Sequence, residues 1–192
     1  MQRVGAGVEM ADKKLVLHPH NPWAILQDAP LLLERLRVFG LLGSSFPHLG
    51  DLHYHAGPRF SDLVRFRVAG EGVGAAVKAC HVALMETMPE PSFLSGSNVR
   101  PPACPRCRAK FVHWSKDLPA WQADKRRYRW TCPGCARSLP VEALDWERSA
   151  GVARYALDIW GIGEGEAEPT TELLEFLRTE LAEPWQFFYY VF

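Results

Sequence analysis

The sequence predicts a mixed α/β (α+β) domain, a sheet with helices, that is interrupted by a small metal-binding β-hairpin module. Segments with helical spacing of apolar residues alternate along the chain with segments of strand-like alternation. Two C-x-x-C pairs stand near the middle of the 192 residues, and 47% of the residues are hydrophobic. That content is enough for a core that does not depend on a metal. We therefore predict a body formed by residues 1–97 and 141–192, with an insert at 98–140 that we call the metal module.

The first part of the body carries signals for helix starts and stops. Asn21 followed by Pro22 is typical of a helix start, and Asp28 with Pro30 begins a second helical segment. Gly40 is positioned to end that second helix. The residues expected on its buried face are Leu32, Leu36 and Phe39.

Residues 60–88 are predicted to form a strand and then a helix. Polar and apolar residues alternate from Phe60 to Val68, as in a half-buried strand. Apolar residues at helical spacing, including Cys80, predict a helix from Val73 to Met88. On this stripe Cys80 is expected to pack as a small hydrophobic side chain.

A histidine-rich segment precedes these elements. His48, Asp51, His53 and His55 lie within eight residues, and His53 and His55 would face the same side of a strand. Such a group is compatible with a second metal site or a catalytic histidine. We favour a polar loop and an edge strand with partly exposed histidines, because no helical metal-binding spacing accompanies the group.

The strongest signal is the pair of C-x-x-C motifs. Cys104 and Cys107 are separated from Cys132 and Cys135 by 24 residues. Each motif can place two thiolates on one tight turn, and four thiolates at this spacing favour one tetrahedral metal ion, most readily zinc. A set of four thiolates leaves no open position for a substrate, so the spacing favours one structural Zn²⁺ ion. Redox dithiols, disulfides and an iron–sulfur centre are the alternatives.

The two motifs resemble those of the zinc-ribbon families, in which C-P-x-C turns cap a small β-hairpin. The resemblance covers about residues 100–139 and implies a metal and a small fold rather than one function. It implies strands near Phe111–Trp114 and Arg126–Thr131. We identify no family in the remainder of the chain.

Charge is distributed unevenly although the net charge is zero. Residues 100–140 carry ten Lys and Arg against two Asp, whereas residues 141–192 carry three against eleven Asp and Glu. Basic and aromatic side chains alternate before the second motif, as a nucleic-acid surface would require. Alternatively, Trp114, Tyr128 and Trp130 form the core of the metal module. The residues predicted to contact a partner are Arg106, Arg108, Lys110, Lys125, Arg126, Arg127, Arg129, Tyr128 and Trp130.

The last part of the chain predicts a strand–helix–strand unit. Val152–Trp160 has the alternation of a strand, and a glycine-rich acidic loop follows it. A helix is expected to begin after Pro169 and to stop at Pro184. The final eight residues are apolar on both alternating faces, which indicates a strand that is covered on both sides.

Composition indicates the compartment. No run approaches the ~20 apolar residues of a membrane helix, and the first residues have no apolar run of a signal peptide. Four of five cysteines belong to the metal motif, which is typical of a reducing compartment. We therefore expect a cytoplasmic protein that is not embedded in a membrane.

Three classes of function are compatible with these features. The first is a non-enzymatic zinc protein that recognises another protein, as an adaptor, a regulator or a toxin-neutralising protein does. The second is nucleic-acid binding through the basic metal module, which salt-dependent binding would reveal. The third is an enzyme that uses the His48–His55 segment, for which replacing both His53 and His55 by alanine would abolish activity.

Overall fold

The structure, a computed structural model, describes residues 12–46, 52–67 and 72–192. Within these ranges it is an α+β fold whose strands pair antiparallel in open sheets, which confirms the predicted class. The strands are β1 (Lys13–Pro19), β2 (Leu42–Ser45), β3 (His53–Ala56), β4 (Val64–Phe66), β5 (His81–Leu84), β6 (Ser92–Ser95), β7 (Trp130–Thr131), β8 (Ser138–Leu139), β9 (Ala150–Ala153), β10 (Leu157–Trp160), β11 (Ala167–Pro169) and β12 (Trp185–Val191). The helices are α1 (Ala29–Phe39), α2 (Phe60–Leu63), α3 (Gly72–Ala79), α4 (Trp114–Ala123) and α5 (Thr171–Leu181), with a 3₁₀ turn at Val141–Ala143.

A six-stranded antiparallel sheet organises the body. Its strand order is β12-β1-β10-β5-β3-β2, so the first and last strands of the described chain are neighbours. β1 pairs with β12 along its whole length, from Lys13 opposite Val191 to Pro19 opposite Trp185. β10 and β12 lie on either side of β1, and α5 lies in the connection between them, as predicted. That connection also contains β11, which pairs with β4, where the sequence predicted a loop.

One face of this sheet carries the main hydrophobic core. Alternation places Leu15 and Leu17 of β1 beside Ile159 of β10 on that face, and all three are at most 1% exposed. Helices α1 and α5 cover this face with leucines at helical spacing. The fully or nearly buried helix residues are Leu32, Leu33, Leu36, Leu173 and Leu177.

Local sequence signals fix the ends of these two helices. Asp28 caps α1 by accepting a hydrogen bond from the Leu31 N–H at 2.8 Å, and Gly40 ends α1 at φ 92°. Thr170 caps α5 in the same way through Leu173 N–H at 3.3 Å. A side-chain N-cap contributes about 1 kcal/mol to a helix. Among the described helices, none is both long and apolar enough to cross a membrane.

The other face of the sheet is polar and aromatic at one end. Cross-strand register aligns Lys14, Trp160, His81 and His55 in one row over β1, β10, β5 and β3. At the other end this face is covered by the two-stranded β6–β9 ribbon, and Leu94 of β6 packs with Val16 and Phe188 there. The sheet is therefore enclosed on one face and only partly covered on the other.

The predicted helix Val73–Met88 is wrong in its second half. The helix ends at Ala79, and β5 follows as an inner strand between β10 and β3. In β5, Val82 and Leu84 are buried, and the strand is hydrogen-bonded to a neighbouring strand on each side. This pairing with distant strands outweighs the helical spacing of the apolar residues in the sequence. Cys80 is buried, as expected, and its thiol donates to the Ala76 carbonyl at 3.2 Å.

Three smaller predictions also need correction. Asn21 does not start a helix, because its side chain accepts from the Trp23 N–H at 3.0 Å and closes a turn. The predicted strand Phe60–Val68 instead begins with the short α2 and continues as β4, and its last residue, Val68, lies outside the described residues. The predicted strand Val152–Trp160 is two strands, because β9 pairs with β6 whereas β10 belongs to the main sheet.

Candidate metal centre

The first C-x-x-C motif forms a closed turn. The N–H of Arg108 donates to the Cys104 carbonyl at 2.9 Å, and the N–H of Cys104 donates to the Ala109 carbonyl at 2.9 Å. Arg108 lies in the left-handed region at φ 64°, which turns the chain back directly after Cys107. The turn places both thiols of the motif on one side.

The second motif repeats this geometry. The N–H of Ala136 donates to the Cys132 carbonyl at 2.9 Å, and Ala136 has a φ of 55°. Gly134 N–H also points at Cys132 Sγ, at 3.4 Å. A Cβ at Gly134 would lie 2.8 Å from the Ala109 side chain, so glycine is needed because the two turns approach closely. The two motifs are therefore matched turns that face one another.

The four sulfur atoms form one compact group. All of them lie within 4.8 Å of one another. Sγ of Cys104 is 3.9 Å from Sγ of Cys135, and Sγ of Cys107 is 3.5 Å from Sγ of Cys132. A tetrahedral zinc with bonds of about 2.3 Å requires sulfurs about 3.8 Å apart, whereas a disulfide requires about 2.05 Å. The residues thus have the spacing of a four-thiolate metal site such as a zinc site, and all four cysteines are free thiols.

The first turn favours the thiolate form of Cys104, whereas the pKa of Cys107 is raised to about 11 because hydrogen bonds with the neighbouring thiols, together with burial, outweigh the effect of the Ala109 N–H. The backbone N–H groups of Cys107 and Arg106 lower the pKa of the Cys104 thiol to about 6. Backbone N–H groups directed at sulfur stabilise the anionic form, which is the form that binds a metal. Cys104 and Cys132 are buried, whereas Cys107 and Cys135 are exposed.

The segment between the motifs differs from a simple hairpin. The strand expected near Phe111–Trp114 is absent, because the chain turns at Val112 and His113 and then forms α4. The strand expected before the second motif is short, and it pairs with β8 after that motif. The first motif is instead closed by a single bridge between Ala103 and Lys110.

Aromatic rings build a second hydrophobic core beside the cysteines. Trp121 of α4 and Trp130 of β7 are each 1% exposed, with ring centroids 6.5 Å apart. Tyr128 stands edge-on to Trp130 at 5.1 Å and donates its hydroxyl to Asp117 at 2.9 Å. This core continues into the segment after the metal module through Val141, Leu144, Trp146, Ala150 and Val152. The Trp130 ring thus lies inside the core and is not part of the surface.

Several basic residues predicted to contact a partner are paired within the chain. Arg108 pairs with Asp145 and, at 3.6 Å, with Glu147. Lys110 pairs with Glu147 at 2.5 Å. These carboxylates belong to the acidic C-terminal third, so part of the charge asymmetry is neutralised internally.

A second group of basic residues holds the end of α4 against the body. Arg126 lies over the Trp23 ring with its guanidinium carbon 3.7 Å from the ring centroid. Lys125 pairs with Glu90 at 3.0 Å. Arg129 donates to the backbone carbonyls of Arg126 and Tyr128. The guanidinium groups of Arg106 and Arg127, both exposed, have no ion pair within the described chain.

The histidine-rich segment is only partly described. His48 and Asp51 lie outside the described residues, whereas His53 and His55 occupy the same side of β3, as alternation predicts. A third histidine, His81 of β5, pairs in register with His55 and lies 5.3 Å from the His53 ring. Within the described chain, the four cysteines form the one group of three or more His, Cys, Asp or Glu that is close enough to hold a metal.

His81 belongs to a row of stacked rings that we call the ring ladder. Its members are Phe46, His81, Trp160 and Phe192, with successive centroids 5.6, 5.6 and 5.3 Å apart and planes within 16° of parallel. The ladder crosses the open end of the second face of the sheet. Sequence reasoning missed it because these residues come from four separate segments.

Sequence reasoning also missed a buried ion pair on this face. Lys14 Nζ lies 2.5 Å from Asp158 Oδ2, and their side chains are 14% and 7% exposed. Burial raises the pKa of Asp158, while Lys14 and His53 act in the opposite direction. Asp158 Oδ1 and His53 Nδ1 are buried, and neither has a hydrogen-bond partner among the described residues. From the alternation of polar and apolar residues in β1 and β10 alone, Lys14 and Asp158 would both be predicted to face solvent.

His81 makes the stability of the fold depend on pH. Burial, together with the smaller effects of His53 and His55, lowers the pKa of His81 from 6.5 to about 4. Because the folded protein holds His81 in its neutral form, this residue favours the folded state fully above about pH 6.5, the ordinary pKa of histidine. Its contribution to the free energy of unfolding is lost as the pH falls toward about 4. We expect the urea midpoint to fall between about pH 7 and pH 5, and to fall less in His81→Phe, which keeps a ring in the ladder.

The control for this experiment is His113→Gln, which changes an exposed histidine outside the ring ladder. It should retain the pH dependence of the wild type. The same dependence in His81→Phe as in the wild type would contradict the role assigned to His81.

Comparisons with protein-family models, curated proteins and solved structures give no significant match to this chain. The likeness to zinc ribbons therefore depends on the cysteine motifs and their geometry. Chemically, four converging thiols can bind one metal ion and leave no coordination position for a substrate.

Proposed function

We propose that this is a non-enzymatic zinc-binding protein whose metal is structural and which recognises another protein. The observation that carries the proposal is the group of four Sγ atoms, all within 4.8 Å of one another. Cys104, Cys107, Cys132 and Cys135 would hold one Zn²⁺ ion and complete its coordination shell. A closed shell stabilises structure and offers no site for catalysis.

The metal would act by holding two distant turns together. Cys104 and Cys132 belong to the same buried core as Trp121 and Trp130. Small modules have little apolar material, so a metal replaces part of the core they lack. We propose that residues 98–140 form an insert of this kind in the α+β body, and that a reducing compartment such as the cytoplasm keeps the thiols available.

A protein partner is favoured over a nucleic acid by the surroundings of the basic residues. Arg108, Lys110 and Lys125 are used in internal ion pairs, and Arg126 stacks on Trp23. Trp130 is buried, so the alternating basic and aromatic residues do not form a stacking surface for bases. Adaptor, regulator and toxin-neutralising proteins are the types of protein-binding function that fit.

The first test of the partner class is nucleic-acid binding. We expect the zinc-loaded protein to bind mixed DNA and RNA oligonucleotides weakly even at low salt, because four of the ten cations of residues 100–140 are held in internal ion pairs and Arg126 lies over Trp23. Fluorescence anisotropy at about 50 and 200 mM salt measures this, since phosphate contacts make affinity fall steeply with salt. Tight, salt-dependent binding that is lost in an Arg106→Ala/Arg127→Ala variant would replace the proposal with the nucleic-acid function.

The second test looks for the protein partner directly. Cross-linking of the tagged, zinc-loaded protein in its host cells, followed by mass spectrometry, should recover one protein at near-equal amount. The matched control is Cys132→Ser, which should lose the partner if the metal module takes part in binding. Failure of the wild-type protein to recover any such partner would contradict the protein-binding function while leaving the metal site untouched.

A further inference from the structure

A cleft of about 440 Å³ lies between the segment after the metal module and the main sheet. One wall is formed by residues 142–152, which include the 3₁₀ turn and the start of β9. The other wall contains His18 of β1 and Trp185, Gln186 and Phe187 of β12. The cleft is therefore built from both the main sheet and the segment that completes the second hydrophobic core.

One carboxylate in this cleft has no internal partner. The lining acids Asp145 and Glu147 are paired with Arg108 and Lys110 of the metal module. The lining base Arg148 is paired with Glu168 at 2.7 Å. Glu142 also lines the cleft, and within the described chain no cation neutralises it. The cleft thus offers one uncompensated negative charge.

A buried imidazole supplies a second acceptor. His18 is 1% exposed and lines the cleft, and its Nδ1 is 2.9 Å from the Pro19 carbonyl. Because a carbonyl only accepts, Nδ1 carries the proton and Nε2 is the acceptor. A side chain at Gly151 would collide with Nε2, so glycine is required where this nitrogen meets the wall of the cleft. Burial lowers the pKa of His18 to about 4, which keeps the ring neutral near pH 7.

The remaining lining contains three large aromatic rings among smaller aliphatic side chains, with His20 and Gln186 as its polar members. Trp146, Trp185 and Phe187 line the cleft, and Trp146 is fixed by its Nε1–H bond to the Val141 carbonyl at 3.1 Å. Such rings pack against the methylene stem of a long basic side chain and attract its charged end. Arg148 already lies over Phe187, with its guanidinium carbon 4.4 Å from the ring centroid.

From these features we infer that the cleft receives one lysine or arginine side chain of the partner protein. The unpaired Glu142 carboxylate favours a positive charge, the neutral His18 can accept a hydrogen bond from an N–H of that group, and the rings accommodate its stem. An anionic group would be repelled by Glu142. This inference rests on the proposed function, because it specifies how the protein partner is recognised.

The test uses full-length, zinc-loaded protein and short blocked peptides of five residues. One peptide carries a central arginine among glycines, and its matched control carries citrulline, which has the same shape without the charge. Binding is followed by NMR through the indole N–H signals of Trp146 and Trp185 and the amide of Gly151, assigned from single substitutions. Spermidine, a free polyamine, forms a third arm.

We expect the arginine peptide to shift these three signals saturably and the citrulline peptide to leave them unchanged. Glu142→Gln should weaken binding about tenfold, which corresponds to the loss of one charge-assisted hydrogen bond. Glu34→Gln, which changes an exposed carboxylate on α1, should bind as the wild type does.

Three results would overturn the inference. They are no shift with the arginine peptide, an equal affinity in Glu142→Gln, and equal or tighter binding of spermidine at the same signals. Each of these results leaves the proposed function standing if the protein retains its zinc and its cross-linked partner. If the wild-type protein recovers no cross-linked partner, the proposed function itself is contradicted.

Discussion

Replacing Cys132 by serine is expected to release the metal and to unfold the metal module. Cys132 is 2% exposed and belongs to the second hydrophobic core, so its loss removes a ligand and disturbs packing together. Zinc binding in small modules is worth about 10–16 kcal/mol, and this energy is also folding energy. We expect zinc content to fall from one equivalent to near zero, as measured by plasma emission spectroscopy.

The unfolding should extend beyond the last cysteine but should spare the main core. Trp146 and Val152 pack in the second core, so the segment carrying β9 should lose protection from hydrogen exchange. Leu15 and Ile159 pack in the separate main core and should keep theirs. The control is Cys80→Ala, which alters a buried cysteine outside the cluster and should keep the full zinc content. A module that stays protected without metal would contradict the structural role of zinc.

Replacing Lys14 by methionine is expected to be among the most destabilising single changes in the body. It leaves the Asp158 carboxylate, 7% exposed, without its partner in the middle of the sheet. Removing one member of a buried ion pair typically costs about 3–5 kcal/mol, because the remaining charge is neither solvated nor paired. Urea unfolding at about pH 7 measures this cost.

The pH dependence and a double variant separate charge from packing. Burial already raises the pKa of Asp158, and loss of Lys14 raises it further. An acid with a raised folded-state pKa adds stability at low pH and loses it as the pH rises through that pKa, so the cost of Lys14→Met should be smaller at pH 5 than at pH 7.

The double variant Lys14→Met/Asp158→Leu should recover much of the lost stability, because a buried pair and an apolar pair of similar volume are often equivalent. Lys13→Met is the control, since it breaks the exposed pair with Glu166 and should cost less than about 1 kcal/mol. Equal costs for Lys13→Met and Lys14→Met would contradict the assignment.

The sequence predicted the features that depend on local chemistry. Asp28 and Gly40 delimit α1 because an acceptor and a glycine stabilise the two ends of a helix wherever it packs. The convergence of Cys104, Cys107, Cys132 and Cys135 followed from motif spacing alone, since four thiolates at such spacing serve one ion.

The sequence could not predict features that depend on distant strands. The segment His81–Leu84 has helical spacing in continuity with α3, yet it pairs with β10 and β3, which are distant in the chain. The same holds for the ring ladder and for Lys14 with Asp158, whose strands are neighbours only in the folded sheet. Alternation predicts which side of a strand a residue faces but not what covers that side.

The environment of the basic residues of the metal module was also not predictable from the sequence. Charge counting in residues 100–140 predicted an exposed cationic surface, but Arg108 and Lys110 meet carboxylates that follow the metal module. Opposite blocks of charge adjacent in sequence can therefore neutralise one another in the fold. Trp130 alternates with arginines in the sequence because one side of a short strand is buried, not because it faces a ligand.

The four-thiolate zinc site is tested most directly by X-ray absorption spectroscopy at the zinc edge, together with metal analysis, on protein purified under reducing conditions. We expect one zinc per chain, surrounded by four sulfur atoms at about 2.3 Å. A protein without metal, a shell containing nitrogen or oxygen ligands, or cysteines joined as disulfides would contradict a structural zinc held by Cys104, Cys107, Cys132 and Cys135.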